Sequence, residues 1–183
     1  MAVNPWKAPA EIEALVNQVR QKYHSERLAG ASLAICLDDS KPFVRNKLNL
    51  GKISKFNPLA KLWLSQKYDF CLSIPSELWH SVLKNDEREA YLDLQLTRCG
   101  VEYIPEEAED EDGKMKVVKD EWGRIKYTNK PKTDDEGEPK WKVLPVDLEV
   151  LASNVRRYGL WYDGLSDLKD AIIAAPTGGI DAT

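Results

Sequence analysis

Ile12, Leu15, Val16 and Val19 recur at the spacing of one helix face, with Glu11, Glu13, Gln18 and Arg20 mostly opposite. This predicts a helix over about residues 9–24, after a loose lead-in that contains Pro5 and Pro9. The run from Ala31 to Leu37 is short, apolar and bounded by Gly30 and by Asp38-Asp39-Ser40, so it predicts a buried strand. Leu48 to Ile53 alternates around Gly51 and predicts a second strand. Asn57-Pro58 opens a predicted helix over about 58–66, with proline at its first position. Tyr68 to Ile74 predicts a third strand ended by Pro75, and Ser76 to Leu83 a short helix. The stretch Asp86 to Cys99 then reads as the helix around which the chain is organised. Asp86 is its expected N-cap, Glu89 loosely completes a capping box, and Gly100 is its expected stop.

Beyond residue 104 the pattern changes. Residues 105–113, Pro-Glu-Glu-Ala-Glu-Asp-Glu-Asp-Gly, are almost solidly acidic. Lys114 to Lys119 and Arg124 to Tyr127 predict two strands joined at Asp120-Glu-Trp-Gly123, and Trp141 to Leu144 predicts another. With little core-forming material, about 105–144 is expected to be a projecting β-hairpin arm with acidic, flexible tips. Leu148, Leu151, Val155 and Tyr158 return to helical spacing and predict a last core helix over about 146–158, ended by Gly159. Leu160-Trp161-Tyr162 is an apolar cluster expected to dock back on the body. Residues 165–174 can form a short helix, and the end of the chain, about 175–183, reads as a flexible tail.

Composition narrows the function classes. The 183 residues suggest one domain, and 43% apolar residues suffice for a core. A net charge of -4 argues against a nucleic-acid binder. Cys36, Cys71 and Cys99 are isolated and odd in number, which points to free thiols and not to a disulfide framework or a cysteine-rich zinc site. The only histidines are His24 and His80. His24 falls at a predicted helix C-terminus, where an imidazole suits the dipole. His80 has no second donor at ligand spacing and reads as a surface or packing residue. Lys41, Arg45, Lys47, Lys52, Lys55 and Lys61 make one region basic, read as a solvated edge and not as a phosphate site. No apolar run reaches membrane-spanning length and no signal core is present, so a soluble protein of the cytoplasm is expected.

Several stretches, in order, carry a resemblance to a known family. They are Leu50-Gly-Lys-Ile-Ser-Lys-Phe-Asn-Pro-Leu-Ala-Lys-Leu62, Tyr68 to Ile74 with Leu78-Trp79, Arg88-Glu-Ala-Tyr-Leu-Asp93, Asp134 to Lys140, Asp147-Leu-Glu149 and Val155-Arg-Arg-Tyr-Gly-Leu-Trp161. Together, over roughly residues 10–165, the chain resembles the phage metallopeptidase family, a zincin-like group found in phages and prophages. The resemblance implies an α+β fold: a zincin-like small sheet packed with helices, plus the arm. It implies a single domain over 1–183, with its core at about 10–104 and 145–165. It also implies zinc held by an H-E-x-x-H helix, in which residues four apart share one face and the Glu activates water. In the register of the resemblance those places hold Leu94, Gln95 and Arg98, and a third ligand position holds Val146. Leu and Val cannot bind zinc, a neutral amide is no general base, and Arg is a permanent cation. No catalytic residue and no metal or other cofactor is therefore expected, and Leu94 and Val146 are expected to repack the vacated pocket. Arg98 needs a carboxylate partner, for which Asp147 or Glu149 is expected.

The expected function is that of an inactive phage or prophage pseudoenzyme that binds a host or phage protein, in defence evasion, DNA metabolism or control of a host enzyme. Candidate contacts are Glu106, Glu107, Glu109, Asp110, Glu111, Asp112, Trp122 and Trp141, with Tyr127, Trp161 and Tyr162 as further aromatics and packing favoured for the last two. One alternative is an active zinc peptidase with displaced ligands among His24, His80, Cys99 and Glu102. Another is nucleic-acid binding through residues 41–61 or 114–132, less favoured given the net acidity.

Overall fold

A computed structural model describes residues 3–57, 67–110, 113–146, 148–162, 164–166 and 169–170, with backbone alone at 148–150. The architecture is α+β. Its centre is a four-stranded mixed sheet in the order β1 (Pro5–Lys7), β2 (Leu33–Asp38), β6 (Phe70–Pro75), β5 (Lys52–Lys55). β2 and β6 are parallel, and the two outer strands run antiparallel to them. Strand alternation puts Ile35, Leu37, Phe70, Leu72, Ile74 and Ile53 on one face, all buried. Helix α1 (Ala10–Tyr23) adds Ile12, Val16 and Val19 to this core, and α2 (Asn85–Thr97) adds Tyr91, Leu92 and Leu96. α1 matches the apolar periodicity, with Glu11 and Glu13 in its first turn and Arg20 and Lys22 in its last, both favourable to the helix dipole.

Several boundaries differ from the sequence expectation. The strand expected over 48–53 is two pieces, β4 (Lys47–Leu48) and β5, broken at Gly51. Gly51 has φ +68°, and a Cβ there would lie 2.3 Å from the Ser73 carbonyl oxygen, so the chain bends away from the strand at this point. β4 instead closes a tight hairpin with β3 (Phe43–Val44) through Arg45-Asn46, both at positive φ. The 76–83 helix widens into a single π-helical turn, Leu78–Val82. Lys84 is the N-cap residue of α2, not Asp86; Glu87 reaches back to accept from the Lys84 amide at 2.9 Å. Gly100 does not stop the helix. It lies in β7 (Cys99–Val101), where a Cβ would meet the Leu144 side chain at 2.9 Å. The helix expected over 58–66 and most of the one over 165–174 lie outside the described residues.

The arm is a branched ladder. β7, β8 (Tyr103–Pro105) and β9 (Glu107–Glu109) follow one another as one extended spine. They pair in turn with β12 (Trp141–Val143), β11 (Tyr127–Pro131) and β10 (Met115–Val117). Three turns of one type close its hairpins, at Asp110–Lys114, Asp120–Arg124 and Asp134–Glu138. In each, the amide of the glycine at the fourth position donates to the carbonyl of the leading Asp, while the Asp side chain accepts the amide two residues past that position's predecessor, at Lys114, Arg124 or Glu138. The three glycines have φ of +77°, +77° and +85°.

α3 (Leu148–Tyr158) closes the body, followed by Gly159 at positive φ. Leu151, Val155 and Tyr158 are only half-buried, and the fully buried position of the described part of α3 is polar, Asn154. Asn154 belongs to a network around Asp93 of α2, which has no exposed side-chain surface. Asp93 accepts from His24 Nε2 at 2.9 Å, from Asn154 Nδ2 at 2.9 Å and from Arg157 Nη1 at 2.6 Å and 2.7 Å. Trp161 Nε1 donates to Asn154 Oδ1 at 2.8 Å. Burial works against the Asp93 charge, but the bonds from His24 and Asn154 and the charge of Arg157 outweigh it and hold the carboxyl below its usual range.

Removing one partner of such a buried pair costs about 3–5 kcal/mol, so Arg157→Met and Asp93→Ala are each expected to lower the urea midpoint steeply, read by circular dichroism. Because the folded-state pKa of Asp93 is depressed, its contribution is fully present above the unfolded value and is lost as pH falls through the folded one. Wild-type stability is expected to fall on acidification below about pH 4, and less steeply in Asp93→Asn.

Candidate functional site

The positions that resemble a zinc-binding triad all lie on or next to α2, and the structure employs each for something else. Leu94 is 2% exposed and one turn from buried Ala90. Gln95 is 1% exposed, and its Nε2 donates to the Leu50 carbonyl at 2.7 Å. Tyr91, one turn earlier on the same face, donates its hydroxyl to the same carbonyl at 3.0 Å. Burial pushes the Tyr91 phenol well above its ordinary range, so it stays a donor. These two bonds tie α2 to the bend that precedes β5. A glutamate at 95 would set carboxylate oxygens, which only accept, against a carbonyl oxygen. An amide fits where a catalytic carboxylate does not.

Arg98 follows the last helical turn. Its Nη1 donates to Gln95 Oε1 at 3.3 Å, and its buried Nε has no hydrogen-bond partner among the described residues. The carboxylates expected to pair with it, Asp147 and Glu149, lie outside the described side chains. Val146 is 46% exposed hydrocarbon and not part of a repacked pocket, which corrects the expectation that it fills one. The donor set at these positions does not fit a zinc ion: two hydrocarbons, an amide nitrogen engaged with a carbonyl, and a guanidinium. Among the described residues no group of three His, Cys, Asp or Glu side chains could hold a metal.

The alternative donors do not converge either. His24 is 3% exposed and sits at the end of α1 as expected, but its ring is turned inward. Its Nδ1 accepts from Arg27 Nη2 at 2.9 Å, and its Nε2 donates to Asp93. Arg27 also donates to the Leu96, Thr97 and Cys99 carbonyls at 2.6–2.9 Å, so it caps the C-terminus of α2. His80 is exposed in the π-helical turn. Cys99 is fully buried and its thiol is pushed up to about 12, by burial above all. Glu102 pairs with Lys132 at 3.3 Å.

Of the contact residues expected on the arm, Glu107 and Glu109 are exposed, and Glu106 and Asp110 are half-buried. Glu111 and Asp112 lie outside the described residues. Trp122 is 70% exposed at the tip of its turn, with the Arg124 guanidinium 4.7 Å from its ring centre. Trp141 is corrected: it is 8% exposed and packs edge-to-face on Phe70, ring centres 5.8 Å apart, inside the core. Trp161 and Tyr162 pack as expected, Trp161 against Tyr91 and Tyr162 against Trp161. A cavity of about 530 Å³ lies beside Leu50, bounded by Leu48, Val82, Leu83, Trp161 and Tyr162.

Sequence reasoning missed three features. The first is the Asp93 network, signalled by a lone Asp between Leu92 and Leu94. The second is the repeated Asp-x-x-Gly spacing of the arm turns. The third is a thiol pair. Cys36 and Cys71 sit on adjacent parallel strands with their sulfurs 3.9 Å apart. The hydrogen bond from Cys71 lowers the Cys36 thiol to about 7, and the same bond raises that of Cys71. Nucleophilic thiolate is therefore concentrated on half-exposed Cys36. With limiting iodoacetamide near neutral pH, Cys36 is expected to be alkylated first and Cys99 last, as read by peptide mass mapping.

Comparison with known proteins bears on what this arrangement descends from. No curated protein and no solved structure matches the chain. A family model described as putative phage metallopeptidase matches residues 4–172, nearly the whole chain and every element of the site. The chain belongs to the phage metallopeptidase family.

Proposed function

We propose that this chain is a non-catalytic member of its family that works by binding a host or phage protein in the cytoplasm of the infected cell. The observation that carries this reading is the bond from Gln95 to the Leu50 carbonyl. At the place of the family's general base stands an amide whose donor is needed for the fold. Leu94, Arg98 and Val146 at the ligand positions support the same reading. A scaffold kept without its metal ligands has binding as its remaining use.

The candidate contact surface is the arm, with its three acidic turns and exposed Trp122. Large aromatic side chains that are rigid and solvated are typical anchors of protein interfaces. Charge at the turns would act chiefly on encounter rate and partner choice. Defence evasion and control of a host DNA-metabolic enzyme are the processes this reading favours.

The test combines metal analysis with affinity capture from host lysate. The purified chain is expected to carry no zinc and to cleave no casein or peptide library, and to retain one partner in stoichiometric amount. A turn variant, Glu121→Lys with Trp122→Ala, is expected to lose that partner while keeping its circular dichroism spectrum. One zinc per chain together with proteolysis would overturn the proposal. Unchanged capture by the turn variant would remove the arm as the contact surface.

A further inference from the structure

Cys36 on β2 and Cys71 on β6 hold their sulfurs 3.9 Å apart, in hydrogen-bond contact. Ile35, Leu37, Leu72 and Ile74 face the core, so strand alternation puts both thiols on the opposite face of the sheet. They are not direct partners. Cys36 pairs with Ser73 and Cys71 with Ala34, so the two cysteines are diagonal neighbours across parallel strands. Strand spacing and rise set such Cα atoms roughly 8 Å apart. A disulfide tolerates about 7 Å. The sheet thus keeps the sulfurs close enough to share a hydrogen bond and the backbones too far apart to be bridged.

The two thiols are not equivalent. A cleft of about 260 Å³ opens beside Cys36, lined also by Trp6, Lys7, Glu13, Ala34 and Tyr68; Cys71 does not line it. The S–H of Cys71 donates to the Cys36 sulfur and brings that thiol down to about 7, against its burial and the charge of Asp38. The other charges around Cys36 contribute little. Lys7, its direct partner on β1, is paired with Glu13 at 3.4 Å, and Lys52 lies two strands away on β5. At neutral pH about half of Cys36 is therefore nucleophilic thiolate, half-buried and open to the cleft. Its neighbouring thiol cannot close a bridge to it.

We infer that Cys36 is a site of reversible mixed-disulfide formation with low-molecular-weight disulfides, at which Cys71 is the positioning donor and not a resolving thiol. The Cys36 thiolate attacks one sulfur of the small disulfide. A new S–S bond forms at Cys36 and the original S–S bond breaks. The leaving half departs as a thiolate and takes a proton from water, so Cys36 is oxidised and the departing half is reduced. Because Cys71 cannot displace the adduct, the adduct persists until an external thiol attacks it. This inference does not depend on the proposed protein-binding role of the arm.

Incubation of the full chain with glutathione disulfide across a pH series, read by intact mass and peptide mapping, tests it. The expected product is a single glutathionyl adduct per chain, on Cys36, removed by excess reduced glutathione. Its rate of formation is expected to rise with pH through a midpoint of about 7. Cys71→Ala is expected to move that midpoint to about 8.5, the range of an unassisted thiol. Cys71→Ser, which restores a donor, is expected to bring it part of the way back. The rate at neutral pH changes less, falling roughly threefold in Cys71→Ala, because a more basic thiolate is also the better nucleophile. Cys36→Ser is expected to take up no glutathione at neutral pH, with an unchanged circular dichroism spectrum. Loss of two hydrogens from the chain in place of an adduct, labelling of Cys71 or Cys99 ahead of Cys36, or a midpoint that Cys71→Ala leaves in place would each overturn the inference.

Discussion

The buried carboxylate of Asp93 is the constraint on which the body of this protein depends. A charge with no exposed surface costs several kcal/mol to desolvate unless its oxygens are occupied. Here they are occupied from two directions. His24 comes from the end of α1, and Asn154 and Arg157 come from α3. Each donor satisfies Asp93 only if its own helix sits at the correct height and rotation. The carboxylate thus sets the register of α1 and α3 on α2, which non-directional apolar contacts would leave looser. The tie extends outward through Asn154 to Trp161, and through His24 to Arg27, which closes the end of α2.

The opposite side of the same helix is committed to holding the fold together. A zincin-type helix directs two imidazoles and a carboxylate at a cation. This helix directs a hydrocarbon, an amide and a guanidinium at protein. Gln95 and Tyr91 together hold the Leu50 carbonyl where the chain bends at Gly51. A donor is needed at that point, and a carboxylate in its place would only accept.

The arm follows a different logic. Its stability rests on local turn chemistry and on pairing along one spine, and its side chains are mostly solvated. Three Asp-x-x-Gly turns repeat because the Asp side chain occupies the amides across the turn and the glycine takes the left-handed conformation. Such a ladder leaves apolar residues in solvent on both of its sides, Tyr103 and its neighbour Ile104 among them. That is the physical origin of an exposed surface on an otherwise ordinary domain.

Helices α1 and α2 and strands β2 and β6 were readable from the chain alone, because their apolar periodicity is strong and their ends are marked by Gly, Pro or Asp. The family was readable too, since it rests on the order and spacing of short motifs. Reading failed where a residue's role is set by what faces it from far along the chain. His24 reads as a dipole partner until Asp93, 69 residues away, is placed against it. Trp141 reads as a contact residue until Phe70 is found beneath it. Val146 reads as core and is exposed. By itself the sequence determined the main helices and strands, the family and the arm, because these follow from periodicity, the order of short motifs and local turn signals. The burial of charge at Asp93, the donor role of Gln95 and the packing of Trp141 were decided only by tertiary structure, because each depends on which distant groups share a low-dielectric space.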